Sequence, residues 1–167
     1  MGERLPMDLT AYERRARSGP CFICSFLAGD ADYEHEPLYD DGSWVAFLNR
    51  YPTLPGSALV APRRHIEDVV RDLGPEQYLS LQAVVHRVAR AVSRVLRPEC
   101  TYLLSLGSSQ GNAHVHWHVA PLPPGVPYEQ QQYRALMAED GVLRPTPAEV
   151  ADLGRRIRAA LAELADE

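Results

Sequence analysis

Three histidines at alternate positions, in the string His114-Val115-His116-Trp117-His118-Val119-Ala120, constrain this chain more than any other feature. Successive side chains of an extended strand point to opposite faces, so the three imidazoles share one face while Val115, Trp117 and Val119 share the other. The apolar face seats the strand on a core, and the histidines line a cleft at intervals of roughly 6 to 7 Å. His-x-His is also a metal-ligand spacing, which leaves ligand and nucleophile as two readings of the same string. A fully metallated triad would leave no free imidazole for chemistry.

The segments around this string give the frame. Trp44 to Asn49 and Ser57 to Ala61 are short apolar runs bounded by Pro and Gly, which read as buried strands joined through "RYPTLPG". Pro75 suits the first turn of a long helix reaching about Arg97, with Leu81, Val84, Val85, Val88, Val92 and Val95 as its buried stripe. Arg87, Arg90, Arg94 and Arg97 then share an outer face, read as a solvated surface rather than an anion site. Thr101 to Leu106 and Ala113 to Ala120 are two further strands, and antiparallel pairing brings their "GSSQGN" turn beside the histidines. After the breaker "PLPPGVP", Tyr128 to Ala138 reads as a helical segment and Ala148 to Leu164 as an amphipathic helix. Asp8 to Arg17 is a charged helix expected at the periphery. The order predicts an α+β fold: an antiparallel meander sheet packed with one long helix, plus an extra C-terminal helix.

At 167 residues, 46% hydrophobic and 23% charged, the chain suits one globular domain. A net charge of −5 argues against nucleic acid as a partner, while a small phosphate ligand remains open. No secretory leader or membrane-length apolar run is evident, so the expectation is a cytoplasmic protein without a membrane partner. Cys21 and Cys24 have the Cys-x-x-Cys spacing of metal ligands but lack two partners. A redox pair would normally open a helix in a βαβ setting, and a buried metal-free pair is the remaining reading. Cys100 reads as a small packing residue, and His35 and His86 as incidental.

The triad string resembles, without mismatch, the His-φ-His-φ-His-φ-φ signature of the histidine triad superfamily. The "CFIC" pair, the block "WVAFLNRYPTLPGSALVAPRRH" and the run "GSSQGNAHVHWH" are similar to consecutive parts of that family's domain. The resemblance spans residues 21–122 and leaves an N-terminal extension, 1–20, and a Pro-rich and helical C-terminal extension, 123–167, packing on the same domain. It implies that His116 attacks the α-phosphate of a purine nucleoside derivative to form a nucleotidyl-histidine. His118 would steady a non-bridging oxygen, and Gln110 would touch the phosphate through an uncharged amide.

Further roles follow from the same resemblance. Cys21, Cys24, His65 and His114 would hold one structural zinc per chain, closed to water. Asn49 would meet the ribose, although a strand-end asparagine also makes turns. Phe22 and Phe47 would wall the purine, unless they are simple core. Ser105 and Gly111 stand where the family carries phosphate contacts, with residue types that depart from its usual ones. The asparagine leans toward the fragile-histidine-triad branch, and hence toward a dinucleoside polyphosphate substrate. Adenosine phosphoramidate hydrolysis and a non-catalytic purine-nucleotide-binding module are the alternatives. Family habit makes a homodimer the default.

Overall fold

The computed structural model describes residues 4–165; the outermost residues of both expected extensions, 1–3 and 166–167, lie outside the described residues. Two short helices, α1 (Leu9–Ser18) and α2 (Phe22–Leu27), precede three strands, β1 (Pro37–Asp40), β2 (Trp44–Leu48) and β3 (Ala58–Pro62). The long helix α3 (Pro75–Leu96) leads to the hairpin β4 (Cys100–Ser105) and β5 (Trp117–Leu122), then to the short α4 (Tyr133–Leu136) and to α5 (Pro147–Glu163). The five strands form one antiparallel sheet in the order β1-β2-β3-β5-β4, so the hairpin enters with β5 against β3 and leaves β4 at an edge.

Local chemistry sets the helix limits. Pro75 occupies the first turn of α3, where its missing N–H is no loss, and the Gln77 side chain accepts the Gly74 N–H at 3.2 Å. The helix ends at Arg97, which takes a left-handed conformation (φ 50°) just before Pro98. For α5, Thr146 and Glu149 form a reciprocal cap, with the Glu149 carboxylate accepting the Thr146 N–H at 2.7 Å. The stretch from Tyr128 to Ala138 is a broken series of turns around α4, because Gln132 sits at φ 54° and interrupts helical geometry.

Period-two alternation divides the core between the two faces of the sheet. Trp44, Ala46, Leu48, Ala58, Val60 and Val119 meet Leu81, Val85, Val88 and Val92 of α3, together with Ile157 and Leu161 of α5 and Leu164 at its C-cap. On the other face Val45, Phe47, Leu59 and Ala61 pack with Ile23 of α2. Strands covered on both sides read as continuous apolar runs, which is why β2 and β3 stand out in the sequence. Leu54, Ala120, Leu122, Val126 and Ala135 make a third cluster that docks the tail on β5.

The triad strand is shorter than its sequence pattern suggests. Regular pairing begins only at Trp117, opposite Val60 and Ser105, so of the three histidines His118 alone lies in the ladder. Continuing the register would set Pro62 against Val115, and proline has no N–H to give. The chain turns away there. The Val115 N–H bonds the Ile66 carbonyl at 2.8 Å, and the Pro62 carbonyl is taken by the His114 side chain. Cys100 does not pack as a core residue either, since it is exposed at the start of edge strand β4.

If α5 belongs to the same cooperative unit as the sheet, Ile157→Ala removes a fully buried side chain. It should lower unfolding stability by about 2–5 kcal/mol in a denaturant titration. Leu79→Ala, at a position 67% exposed on α3, should stay within about 0.5 kcal/mol.

Candidate active site

The first turn of α2 folds Cys24 back toward Cys21, whose Sγ caps the helix by accepting the Cys24 N–H at 3.4 Å. His65, just past β3, and His114 close the group, and the four donor atoms all lie within 4.8 Å of one another. Sγ of Cys21 is 3.3 Å from Nδ1 of His114, and Sγ of Cys24 is 3.4 Å from Nδ1 of His65 and 3.6 Å from Nδ1 of His114. A tetrahedral zinc with its usual bond lengths puts sulfur and nitrogen ligands about 3.5 Å apart, so the group has the dimensions of such a site.

The outer contacts agree with that fit. His114 Nε2–H donates to the Pro62 carbonyl at 2.8 Å, and His65 Nε2 lies 3.1 Å from the Glu67 carboxylate. Each imidazole thus has its proton occupied on the far side, which leaves Nδ1 bare toward the sulfurs. Burial, followed by the neighbouring Cys21, pushes the Cys24 thiol up to about 11. A zinc ion between the two sulfurs would displace that proton and hold both as thiolates.

His116, 4% exposed, is set by its backbone surroundings. Its Nδ1–H donates to the His114 carbonyl at 2.7 Å, and its own carbonyl accepts the Ser105 hydroxyl at 2.9 Å. With Nδ1 carrying the proton, the lone pair is on Nε2. Burial lowers the pKa of His116, and that of His118 falls to about 4 from burial and then the proximity of His116. Both rings are therefore neutral near pH 7. Their centroids are 5.0 Å apart, nearer than a flat strand would place them.

These rings open onto a cavity of about 690 Å³, the size of a small-ligand site. Phe22, Asn49, Gln110, Gly111 and all three triad histidines line it. Phe22 meets His116 edge-on at 5.5 Å. Asn49 also makes the turn contact allowed by its position, accepting the Tyr51 N–H at 3.0 Å. Two expected contact residues are not on the wall. Phe47 has no exposed surface and supports Phe22 and His35 from beneath, while Ser105 is spent on the His116 carbonyl.

Two features of the wall escape sequence reasoning. His35, read as incidental, lines the cavity among the rings of Phe22, Phe26 and Phe47; its Nδ1–H donates to the Leu48 carbonyl at 3.2 Å, and burial lowers it to about 4. Its flanking residues Glu34 and Glu36 offer no periodicity to mark it. The charged helix α1, expected at the periphery, has no buried residue yet contributes Tyr12, Arg15 and Arg17 to the wall. It rests on the "GSSQGN" turn: Asn112 Nδ2 donates to the Tyr12 hydroxyl at 3.1 Å, and a Cβ on Gly111 would sit 3.4 Å from the Ala16 carbonyl.

A buried imidazole beside a second one, above an antiparallel sheet braced by a long helix, defines a histidine triad site, and the chain belongs to that family. The HIT domain family matches residues 31–124. An uncharacterized HIT-like protein of Mycobacterium tuberculosis is 33% identical over 147 residues, covering 86% of this chain and 94% of the relative. A Zn-bound histidine triad family protein from Mycobacterium smegmatis superposes with a TM-score of 0.67 at 28% identity, over 88% of this chain and 96% of that one. Two relatives carry named activities. An AP-4-A phosphorylase of M. tuberculosis is 35% identical over 80 residues, 46% of this chain and 40% of its own length. An adenosine 5'-monophosphoramidase of Schizosaccharomyces pombe is 27% identical over 132 residues, 71% of this chain and 94% of its own length.

Proposed function

We propose that the protein cleaves a purine nucleoside derivative at its α-phosphate, with His116 as the nucleophile. One observation carries the reading: the buried, neutral His116 has its Nδ1–H committed to the His114 carbonyl and its lone pair left on Nε2, at a cavity. Nε2 attacks the α-phosphorus, an N–P bond forms, and the bond to the leaving group breaks. Water then attacks the same phosphorus, the N–P bond breaks, and a nucleoside monophosphate departs with His116 neutral again. His118 and the Gln110 amide steady the non-bridging oxygens as charge builds on them. Phe22 offers its ring to the base, Phe47 holds that ring from behind, and Asn49 stands at the ribose.

The favoured substrate is an adenine dinucleoside polyphosphate, supported by Gln110, Asn49 and the partial similarity to the AP-4-A phosphorylase. Adenosine phosphoramidate is the second reading, supported by similarity to the monophosphoramidase over most of this chain. The fit of Cys21, Cys24, His65 and His114, with the Zn-bound relative, supports one zinc per chain. Zinc there would fasten the N-terminal loop to the triad segment and leave no position for water. Thiolate ligands suit a reducing compartment such as the cytoplasm. Among the described residues no helix is long and apolar enough to cross a membrane. Edge strand β4 exposes Leu103, so pairing of two such edges would complete a homodimer.

A substrate panel tests the reading. Dinucleoside tetraphosphate should be cleaved with release of AMP, and acid-quenched samples should carry a nucleotidyl adduct on His116. His116→Ala should abolish turnover while holding nucleotide affinity within about tenfold, and His118→Ala should be milder. An adduct on another residue would refute the mechanism, preference for phosphoramidate would select the second reading, and binding without cleavage would leave a binding module.

Metal analysis of protein purified without chelator should find one zinc per chain. Cys24→Ser and His65→Ala should each lower both metal content and melting temperature. Stoichiometric zinc surviving both substitutions would overturn the ligand set.

A further inference from the structure

The wall contributed by α1 ends in a pair of cations with an unusual shared partner. Arg15 of α1 donates through Nη2 to the Asp32 carbonyl at 2.7 Å, and Arg50, just after β2, donates to the same oxygen. Elements far apart in the chain thus bring two guanidinium groups onto one backbone carbonyl, and Arg15 has in addition the Tyr33 hydroxyl and the charge of Asp32 near it. Each guanidinium has five N–H donors and gives one of them to this contact. Arg17, by contrast, is ion-paired with Glu13 at 2.9 Å.

Aromatic rings surround the pair. Arg15 lies over Tyr33 at 4.4 Å and Arg50 over Tyr51 at 5.8 Å, and Tyr51 meets Tyr12 edge-on with centroids 6.1 Å apart. All five side chains belong to the cavity that holds His116. In a chain of net charge −5 this cationic corner is not part of a generally basic surface. Nor is α1 loosely placed: Leu5 and Val142 exchange backbone hydrogen bonds at 2.9 Å at its root, and Tyr12 and Gly111 pack it on the turn before the triad.

The geometry points to a leaving-group subsite in which Arg15 and Arg50 bind a second phosphoryl group, and Tyr12, Tyr33 and Tyr51 take an aromatic ring attached to it. The inference rests on the proposed attack at the α-phosphate, because that phosphate already has His118 and Gln110 as partners. A second anionic group then has somewhere to go. Guanidinium pairs suit phosphate oxygens, and bases stack on aromatic faces whatever their identity. The ligand class is the distal, phosphorylated nucleoside half of a dinucleotide.

The alternative is that the two arginines only latch α1 to the turn at residues 31–33. Kinetics on two substrates with the same adenylyl group separate the cases: diadenosine tetraphosphate, whose leaving group is a nucleoside triphosphate, and adenosine phosphoramidate, whose leaving group is ammonia. The double variant Arg15→Gln, Arg50→Gln should lower the ratio of kcat/KM for the tetraphosphate to that for the phosphoramidate by about tenfold or more. Arg15→Lys with Arg50→Lys should recover most of it, since charge is kept. Equal losses on both substrates, or none on either, would overturn the subsite.

Equilibrium titration of the His116→Ala variant with diadenosine tetraphosphate and with AMP keeps the test independent of turnover. The His116→Ala protein should prefer the dinucleotide, and adding Arg15→Gln and Arg50→Gln to it should remove about tenfold of that preference. An arginine-dependent preference together with no cleavage by the wild-type protein would preserve the subsite and end the hydrolase reading. Cleavage indifferent to the arginines would do the reverse, and absence of any nucleotide binding would end both.

Discussion

The hydrogen bond from His116 Nδ1–H to the carbonyl of His114 is the contact on which the site turns. It fixes the tautomer and thereby decides which nitrogen faces the cavity. A backbone acceptor two residues away can do this only if the intervening chain is rigid, and three contacts make it so. Val115 N–H is held by Ile66, the His114 ring by Pro62, and the His116 carbonyl by Ser105. The segment therefore belongs to two sites at once, with the Nδ1 atom of His114 in the thiol cluster and its carbonyl directing the proposed nucleophile. Any cation bound between the thiols would brace the same backbone that orients His116.

Burial of neutral imidazoles gives the arrangement its chemistry and carries a penalty. His35, His116 and His118 all have lowered pKa values, chiefly from desolvation. The unfolded chain takes up protons on these groups near pH 6.5 and the folded chain does not, so acidification below that value favours unfolding. The hydrophobic faces of the sheet offset this. The two clusters above and below β2 and β3 hold the strands from both sides, and Leu59 lies directly opposite His118 in the ladder. The dry surroundings that keep the imidazoles uncharged would also strengthen their interaction with the proposed phosphate substrate as its charge changes.

Much of this was legible in the sequence, for reasons that explain the exceptions. Two-sided burial wrote β2 and β3 as apolar runs, and α3 and α5 carry helical periodicity with capping signals at their starts. The Cys-x-x-Cys pair and the triad are local patterns, and the fold brings them together with His65. What stayed hidden depends on distant partners. The alternation from His114 to Val119 looks like one strand, yet it pairs regularly only from Trp117, because Pro62 on the neighbouring strand cannot continue the ladder. The four-residue β1, with Pro37 and Asp40 at its ends, has too little apolar content to be seen. His35 carries no pattern of its own and α1 is legible only as a charged helix without a buried face, so their places on the cavity wall come from tertiary packing alone.

The proposed role of His116 requires a neutral imidazole protonated at Nδ1, with the lone pair on Nε2. Nitrogen-15 NMR of histidine-labelled protein, recorded over a pH series with His116→Ala used for assignment, reads the tautomer and charge of this ring directly. The Nδ1-protonated neutral form is expected at pH 7, with a titration midpoint below the ordinary 6.5. An Nε2-protonated ring, or a midpoint at or above 6.5, would contradict that role.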